Sequence, residues 1–172
     1  MIATRKYAEI QKKNRELSEL SELDQMTGLY NKMTTVNKIN NRLYEHKNHI
    51  GAIIVVDMDD FKYINDSEGH LIGDHAIKRV SRILKDNFRK EDIIGRIGGD
   101  EFVFLCPNIP ERVFYAKIAA LQREANKAYP ESLSLGQVWA EGDMHIMDMV
   151  KQADKRMYQE KAEYHARRGD TV

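Results

Sequence analysis

Cysteine is nearly absent from this sequence: the only one, Cys106, lies in the apolar run FVFLC. A lone thiol excludes an intrachain disulfide, suits a reducing compartment, and reads here as core filling. Net charge is absent as well. Lys+Arg and Asp+Glu both total 27, so no global basic field recruits a nucleic-acid backbone or an anionic membrane. Any anionic ligand must therefore be held locally, and no nucleic-acid partner is expected. No stretch approaches the length of a membrane span, and the opening MIATRKYAEI lacks the apolar centre of a secretory signal. Internal repeats and low-complexity tracts are missing too. Together these absences point to a soluble, cytoplasmic domain; any spans or sensor and regulatory domains would belong to a larger parent protein.

At 172 residues the chain fits one domain with a real core and a tail. Residues 1–23 are rich in Lys, Glu, Gln and Leu and read as a solvated linker or signalling helix, with Tyr7, Ile10, Asn14, Leu17 and Ser21 on an approximate heptad. A surface helix and a dimerising stalk fit that pattern equally. Residues 24–166 form the domain proper, and 167–172 are read as a frayed tail. Within the domain a mixed stretch to Tyr44 predicts a helix. Ala52–Val56 is a purely apolar strand covered on both faces. Gly73–Phe88 is an amphipathic helix through Ile77, Val80, Ile83, Leu84 and Phe88. Ile93–Ile97 and Glu101–Leu105 predict a hairpin closed by Gly98-Gly99. A helix over Pro110–Tyr129 with Val113, Ala116, Ile118 and Leu121 inward, a strand over Leu133–Ala140, and a last helix over His145–Glu163 complete the pattern. Helices interleaved with strands predict a sheet with helices packed against it.

Two acidic clusters call for one explanation. Asp57, Asp59 and Asp60 follow the buried strand, and Asp100 and Glu101 follow the glycine pair. If the two ends adjoin, the carboxylates repel one another unless a cation intervenes. Carboxylate oxygens with a strand-end carbonyl form a ligand set suited to Mg²⁺, which keeps open positions for substrate phosphates. A nucleoside triphosphate is the natural partner. The glycines allow positive φ and clear space around the acids. Lys62 is placed to neutralise phosphate charge, and Phe61 to fix the loop by packing. Asn65 and Asp74 offer an amide and a carboxylate suited to the guanine edge, whose N1 and N2 donors adenine lacks. Taken singly, Asn65 and Asp66 also suit a turn, Asp74 a first-turn acid, and His70 a buried spacer.

With these residues in place, the chain resembles a GGDEF domain of the diguanylate cyclase family. Four stretches carry the likeness in order: DQMTGLYNK from Asp24, DMDDFKYIND from Asp57, GHLIGD from Gly69 and RIGGDEF from Arg96. The resemblance implies a palm-like nucleotidyl cyclase fold of the α/β (α+β) class, a central, mostly antiparallel sheet flanked by helices. It implies condensation of two GTP into cyclic di-GMP with release of two pyrophosphates. Asp57, the Met58 carbonyl and Asp100 would hold Mg²⁺, with Mn²⁺ as a substitute. Glu101 would support that site, and Asp100 would also accept the 3′-hydroxyl proton. Lys62 would stabilise the pentacovalent phosphorus, and the backbone amides of Asp60 to Lys62 would bind phosphate beside Phe61. Asn65 and Asp74 would bind guanine near His70, and Lys161 would bind phosphate.

One GTP per domain would require two domains head to head, a catalytic homodimer. RKED at Arg89–Asp92 matches the family's RxxD motif for inhibition by cyclic di-GMP, through Arg89 and Asp92. The sequence also departs from the family pattern. His165 stands where an arginine is common, leaving Arg167 or Arg168 to compensate; Lys32 replaces an arginine and Met26 a leucine. Two further readings share the motifs: a catalytically silent module that binds GTP or cyclic di-GMP, and a cyclase making a mixed guanine–adenine product, which Asp74 disfavours.

Overall fold

The computed structural model describes residues 22–45, 51–128, 133–142 and 145–169, together with residues 6, 7, 10, 13 and 17. Among the described residues, five helices and four strands with defined bounds follow in the order α1 (Lys32–Glu45), β1 (Gly51–Met58), α2 (Phe61–Glu68), α3 (His70–Asp86), β2 (Ile93–Arg96), β3 (Glu101–Pro107), α4 (Glu111–Ala128), β4 (Leu133–Ala140) and α5 (Ile146–Arg168). The strands form one antiparallel sheet in the order β2-β3-β1-β4. This is the α+β architecture expected, with helices on both faces.

β1 organises the layers, because alternate residues of a strand serve opposite faces. Ala52, Ile54, Val56 and Met58 join one apolar cluster with Ile64 of α2, Ile77, Val80 and Leu84 of α3, and Phe114, Ile118 and Leu121 of α4. Ile53 and Val55 join the other, beneath Ile39 of α1 and Met149, Ala153 and Met157 of α5. Cys106 is buried and free, as core filling requires. Gly136 sets the closeness of β4 to α5: a methyl group there would lie 1.7 Å from the Ala153 carbonyl oxygen.

Several expectations change. The stretch before Gly73 contains a helix of its own, α2, and α3 begins at His70 rather than Gly73. Ile64 is the one buried residue of α2, so no apolar stripe announces it; Gly69, at φ 90°, turns the chain between the two helices. In α4 the inward positions are Phe114, Ile118, Leu121 and Ala125, while Val113 and Ala116 are exposed. α5 runs on through Arg168 and ends at Gly169, so Arg167 and Arg168 belong to its last turn and not to a frayed tail. Residues 170–172 lie outside the described residues. Of the N-terminal heptad, Tyr7, Ile10 and Leu17 are helical and exposed; Asn14 and Ser21 lie outside the described residues.

Candidate active site

The carboxyl end of β1 meets the tip of the β2–β3 hairpin. Asp57 stands directly opposite Glu101 in the ladder, and the Met58 N–H donates to the Asp100 carbonyl at 3.2 Å. The strand register therefore brings the two acidic clusters together, although 43 residues separate Asp57 from Asp100 by number. Asp57 alternates with Ile53 and Val55, which places its side chain on the α5 side of the sheet. There Lys161 donates to its Oδ1 at 2.6 Å. Asp59, also buried, accepts from the Ser134 hydroxyl at 2.6 Å.

The hairpin tip is held from outside by Arg96. Its Nε and Nη2 donate to the Gly99 carbonyl at 3.1 and 2.7 Å, and its Nη1 reaches both carboxylate oxygens of Asp24. Asp24 in turn accepts from the Thr27 amide and hydroxyl. The first motif thus serves as an anchor for the hairpin. Neither Gly98 nor Gly99 adopts the positive φ expected of it. Gly98 instead leaves room for the Glu101 side chain: a Cβ there would approach Glu101 Oε2 to 2.5 Å and its Cβ to 3.2 Å.

Charge in this corner is unbalanced toward the negative. Burial pushes the Asp57 carboxyl up; the Lys161 ammonium opposes that shift, and the Asp100 charge adds to it. Asp59 is pushed up to about 6, first by burial, against the Ser134 hydrogen bond, with further help from Asp57. Glu101 rises through burial and through the charges of Asp57 and Asp100. Burial pulls Lys161 down, but its bond to Asp57 together with the charges of Asp57, Asp100 and Asp59 outweighs this and raises it. Burial is the main cause at all three acids, and the neighbouring carboxylates add a smaller repulsive share that a bound cation would relieve. Among the described residues no three His, Cys, Asp or Glu side chains converge to ligand distance. Asp57, Asp100 and a strand-end carbonyl would therefore fill only part of a coordination shell, with hard oxygen donors, and phosphate or water would supply the rest. Mg²⁺ accepts that pattern.

The remaining residues flank this corner. Lys62 and His70 are exposed, so His70 is no buried spacer. Phe61 packs on the core at the start of α2. Asn65 lies in α2 against Gly73 of α3, where a Cβ would fall 2.0 Å from Asn65 Oδ1. Asn65 and the neighbour of Gly73, Asp74, are thereby brought to one helix junction. Asn65 and Asp66 are helical, not turn formers.

Arg89 and Asp92 lie elsewhere, near Pro107 at the far end of β3 from Glu101, a separation of about 20 Å along that strand. The Asp92 side chain is fully buried. It accepts from the Arg89 backbone N–H at 2.8 Å and from the Arg89 guanidinium at 2.8 Å; Arg89 also donates to the Pro107 carbonyl at 2.9 Å. Both line a cleft of about 520 Å³ with Leu23, Tyr30, Phe88 and Ile94. Asp92 is thus built into the fold, while the Arg89 side chain stays partly exposed at the cleft.

Sequence reasoning missed Arg96, Ser134, Tyr164 and the pairing of Lys161 with Asp57. The Tyr164 hydroxyl and Arg168 both reach the Asp60 carboxylate from α5. An acid with an α5 base more than 100 residues away leaves no trace in local periodicity.

Comparison with known proteins bears on the same residues. The family described as diguanylate cyclase, GGDEF domain matches residues 21–167. Diguanylate cyclase DgcS of Shewanella oneidensis is 32% identical over 157 residues, 86% of this chain and 52% of that protein. An uncharacterized Bacillus subtilis protein, YtrP, is 30% identical over 84% of this chain and 25% of its own length. The chain spans about half or less of these relatives. Among solved structures, the coiled coil and GGDEF domain of DgcB from Caulobacter crescentus, in complex with c-di-GMP, superposes with a TM-score of 0.86 at 19% identity, covering 94% of this chain and 91% of that one. SiaD of Pseudomonas aeruginosa, in complex with its activator SiaC, gives 0.73 at 23% identity, covering 94% of this chain and 66% of SiaD. With the family matched over most of its length and the acidic corner assembled by its sheet, the chain belongs to the GGDEF domain family of diguanylate cyclases.

Proposed function

We propose that this domain condenses two GTP into cyclic di-GMP and two pyrophosphates, working as a head-to-head homodimer. The observation that carries the reading is the register of β1 on β3, which sets Asp57 opposite Glu101 with Asp100 alongside. Asp57, the Met58 carbonyl and Asp100 would hold Mg²⁺ or Mn²⁺. When bound, the metal supplies charge neutralisation for the triphosphate and lowers the pKa of the attacking hydroxyl. Asp100 accepts the 3′-hydroxyl proton, and Glu101 keeps its partner acids oriented. Lys62 offsets charge on the transferring phosphoryl group. The amides that open α2 meet the phosphates, and Lys161 exchanges Asp57 for phosphate as GTP arrives. Asn65 and Asp74 select guanine by accepting from donors that adenine lacks. Arg89 and Asp92 bind cyclic di-GMP and restrain the enzyme.

Residues 24–166 form the catalytic unit in this reading, and 1–23 the helix that sets dimer geometry for partner domains. The setting is cytoplasmic; among the described residues no helix is long and apolar enough to cross a membrane. A silent binding module is the competing reading, favoured by His165 at a phosphate position. Incubation of the purified chain with GTP and Mg²⁺ separates the two. A cyclase releases cyclic di-GMP and pyrophosphate and loses both on Asp100→Ala, while cyclic di-GMP binding at Arg89 survives. A silent module binds nucleotide and releases neither product at any concentration.

A further inference from the structure

The last turns of α5 present a row of side chains to the junction between β1 and α2. Lys161, Tyr164 and Arg168 are spaced three and four apart, so they share one face of the helix. Lys161 reaches Asp57, as described. The Tyr164 hydroxyl donates to Asp60 Oδ2 at 2.9 Å, and Arg168 Nη1 donates to the same oxygen at 2.5 Å. Arg168 Nη1 also donates to the Tyr164 oxygen at 2.6 Å, and its guanidinium lies 5.5 Å from the centre of the Tyr164 ring. His165 Nδ1 stands 4.0 Å from Asp60 Oδ1. Arg167 turns away and donates to the Glu163 carbonyl.

The residue so gripped is unusual in its backbone. Asp60 precedes α2 with φ 55° and ψ 16°, in the left-handed region, and its side chain makes no capping bond to the helix it begins. A non-glycine residue in that region costs energy unless its surroundings hold it there, although aspartate tolerates it better than most. Its carboxylate also sits at the start of α2, where negative charge repels an incoming anion.

We propose that Arg168 and Tyr164 are positioning residues for the phosphate-binding turn. They hold Asp60 in the left-handed conformation that aims the amides of residues 61 and 62 outward, and Arg168 cancels the Asp60 charge that would repel a triphosphate there. The cation expected near position 165 is thereby supplied from one turn further along α5, through Asp60 rather than by direct contact. This inference rests on the reading of the site as a GTP site.

The test uses the full chain and the equilibrium binding of 3′-deoxy-GTP, which lacks the attacking hydroxyl, beside KM and kcat for GTP. Arg168→Ala weakens binding and raises KM about fivefold, the scale of a half-exposed ion pair, with kcat within about twofold. Arg168→Lys keeps most of the affinity. Adding Asp60→Asn to Arg168→Ala restores it, because the repelling carboxylate is gone while asparagine tolerates the left-handed turn and keeps the Tyr164 hydroxyl as partner. Wild-type affinity in Arg168→Ala, or no recovery in the double variant, overturns the inference while leaving the GTP reading intact. Failure of the unaltered chain to bind 3′-deoxy-GTP overturns both.

Discussion

At Gly73 an added side chain would meet chiefly the Asn65 amide, with the Phe61 ring 3.3 Å away. A methyl group there collides with Asn65 Oδ1, the end of a side chain that can swing away, and not with backbone. Gly73→Ala therefore leaves the melting temperature at or above that of the parent, since alanine favours a helix interior by about 1 kcal/mol over glycine. The displaced Asn65 no longer meets the base, and KM for GTP rises about tenfold with a smaller change in kcat. An unchanged KM contradicts the placement of Asn65 on guanine. At this scale the sequence was informative about chemistry and silent about pairing. The acids, Lys62, Asn65 and Asp74 stand in recognisable stretches. The partners that hold them, Ser134 under Asp59, Lys161 on Asp57 and Arg168 on Asp60, come from elements far along the chain and depend on packing.

Two elements carry predictions of their own. Where β4 crosses α5, an added Cβ at Gly136 meets the Ala153 carbonyl and the Met157 N–H, both backbone atoms that cannot rotate aside. Gly136→Ala forces the layers apart and costs about 3 kcal/mol in denaturant unfolding. A loss below about 0.5 kcal/mol contradicts this close approach. The hairpin anchor titrates. Burial pushes Asp24 up, but the Thr27 amide and hydroxyl and the Arg96 guanidinium outweigh it and hold its carboxyl below the ordinary value of 3.8. A lowered folded pKa gives stability that is fully present above 3.8 and is lost as pH falls through the folded value. Asp24→Asn then costs about 1 kcal/mol at pH 7, given partial exposure. The melting temperatures of variant and parent converge on acidification below pH 3.8; a gap that stays constant with pH excludes the ion pair as its source. Element types and the strand at Leu133–Ala140 were legible from periodicity. α2 was not, because eight residues with one buried side chain leave no stripe to read.

For the whole molecule, the sheet order β2-β3-β1-β4 explains why a small domain can concentrate acids at one edge and hold a separate cleft at the far end of β3. Local pattern predicts the hairpin but not that β1 inserts between β3 and β4, and that insertion is what creates the corner. With one base pocket per domain, as proposed, the expected rate per chain rises with protein concentration until dimers saturate. Removal of residues 1–23 lowers that rate at dilute concentration, and a rate per chain independent of both contradicts the dimer. The central claim is that Asp57 and Asp100 share a divalent cation beside a nucleotide. Its most direct test is paramagnetic titration of Mn²⁺ against the chain in the presence of GTP. The account predicts tight Mn²⁺ binding that needs GTP and is lost in both Asp57→Asn and Asp100→Asn; equal Mn²⁺ affinity in the two variants and the parent would contradict it.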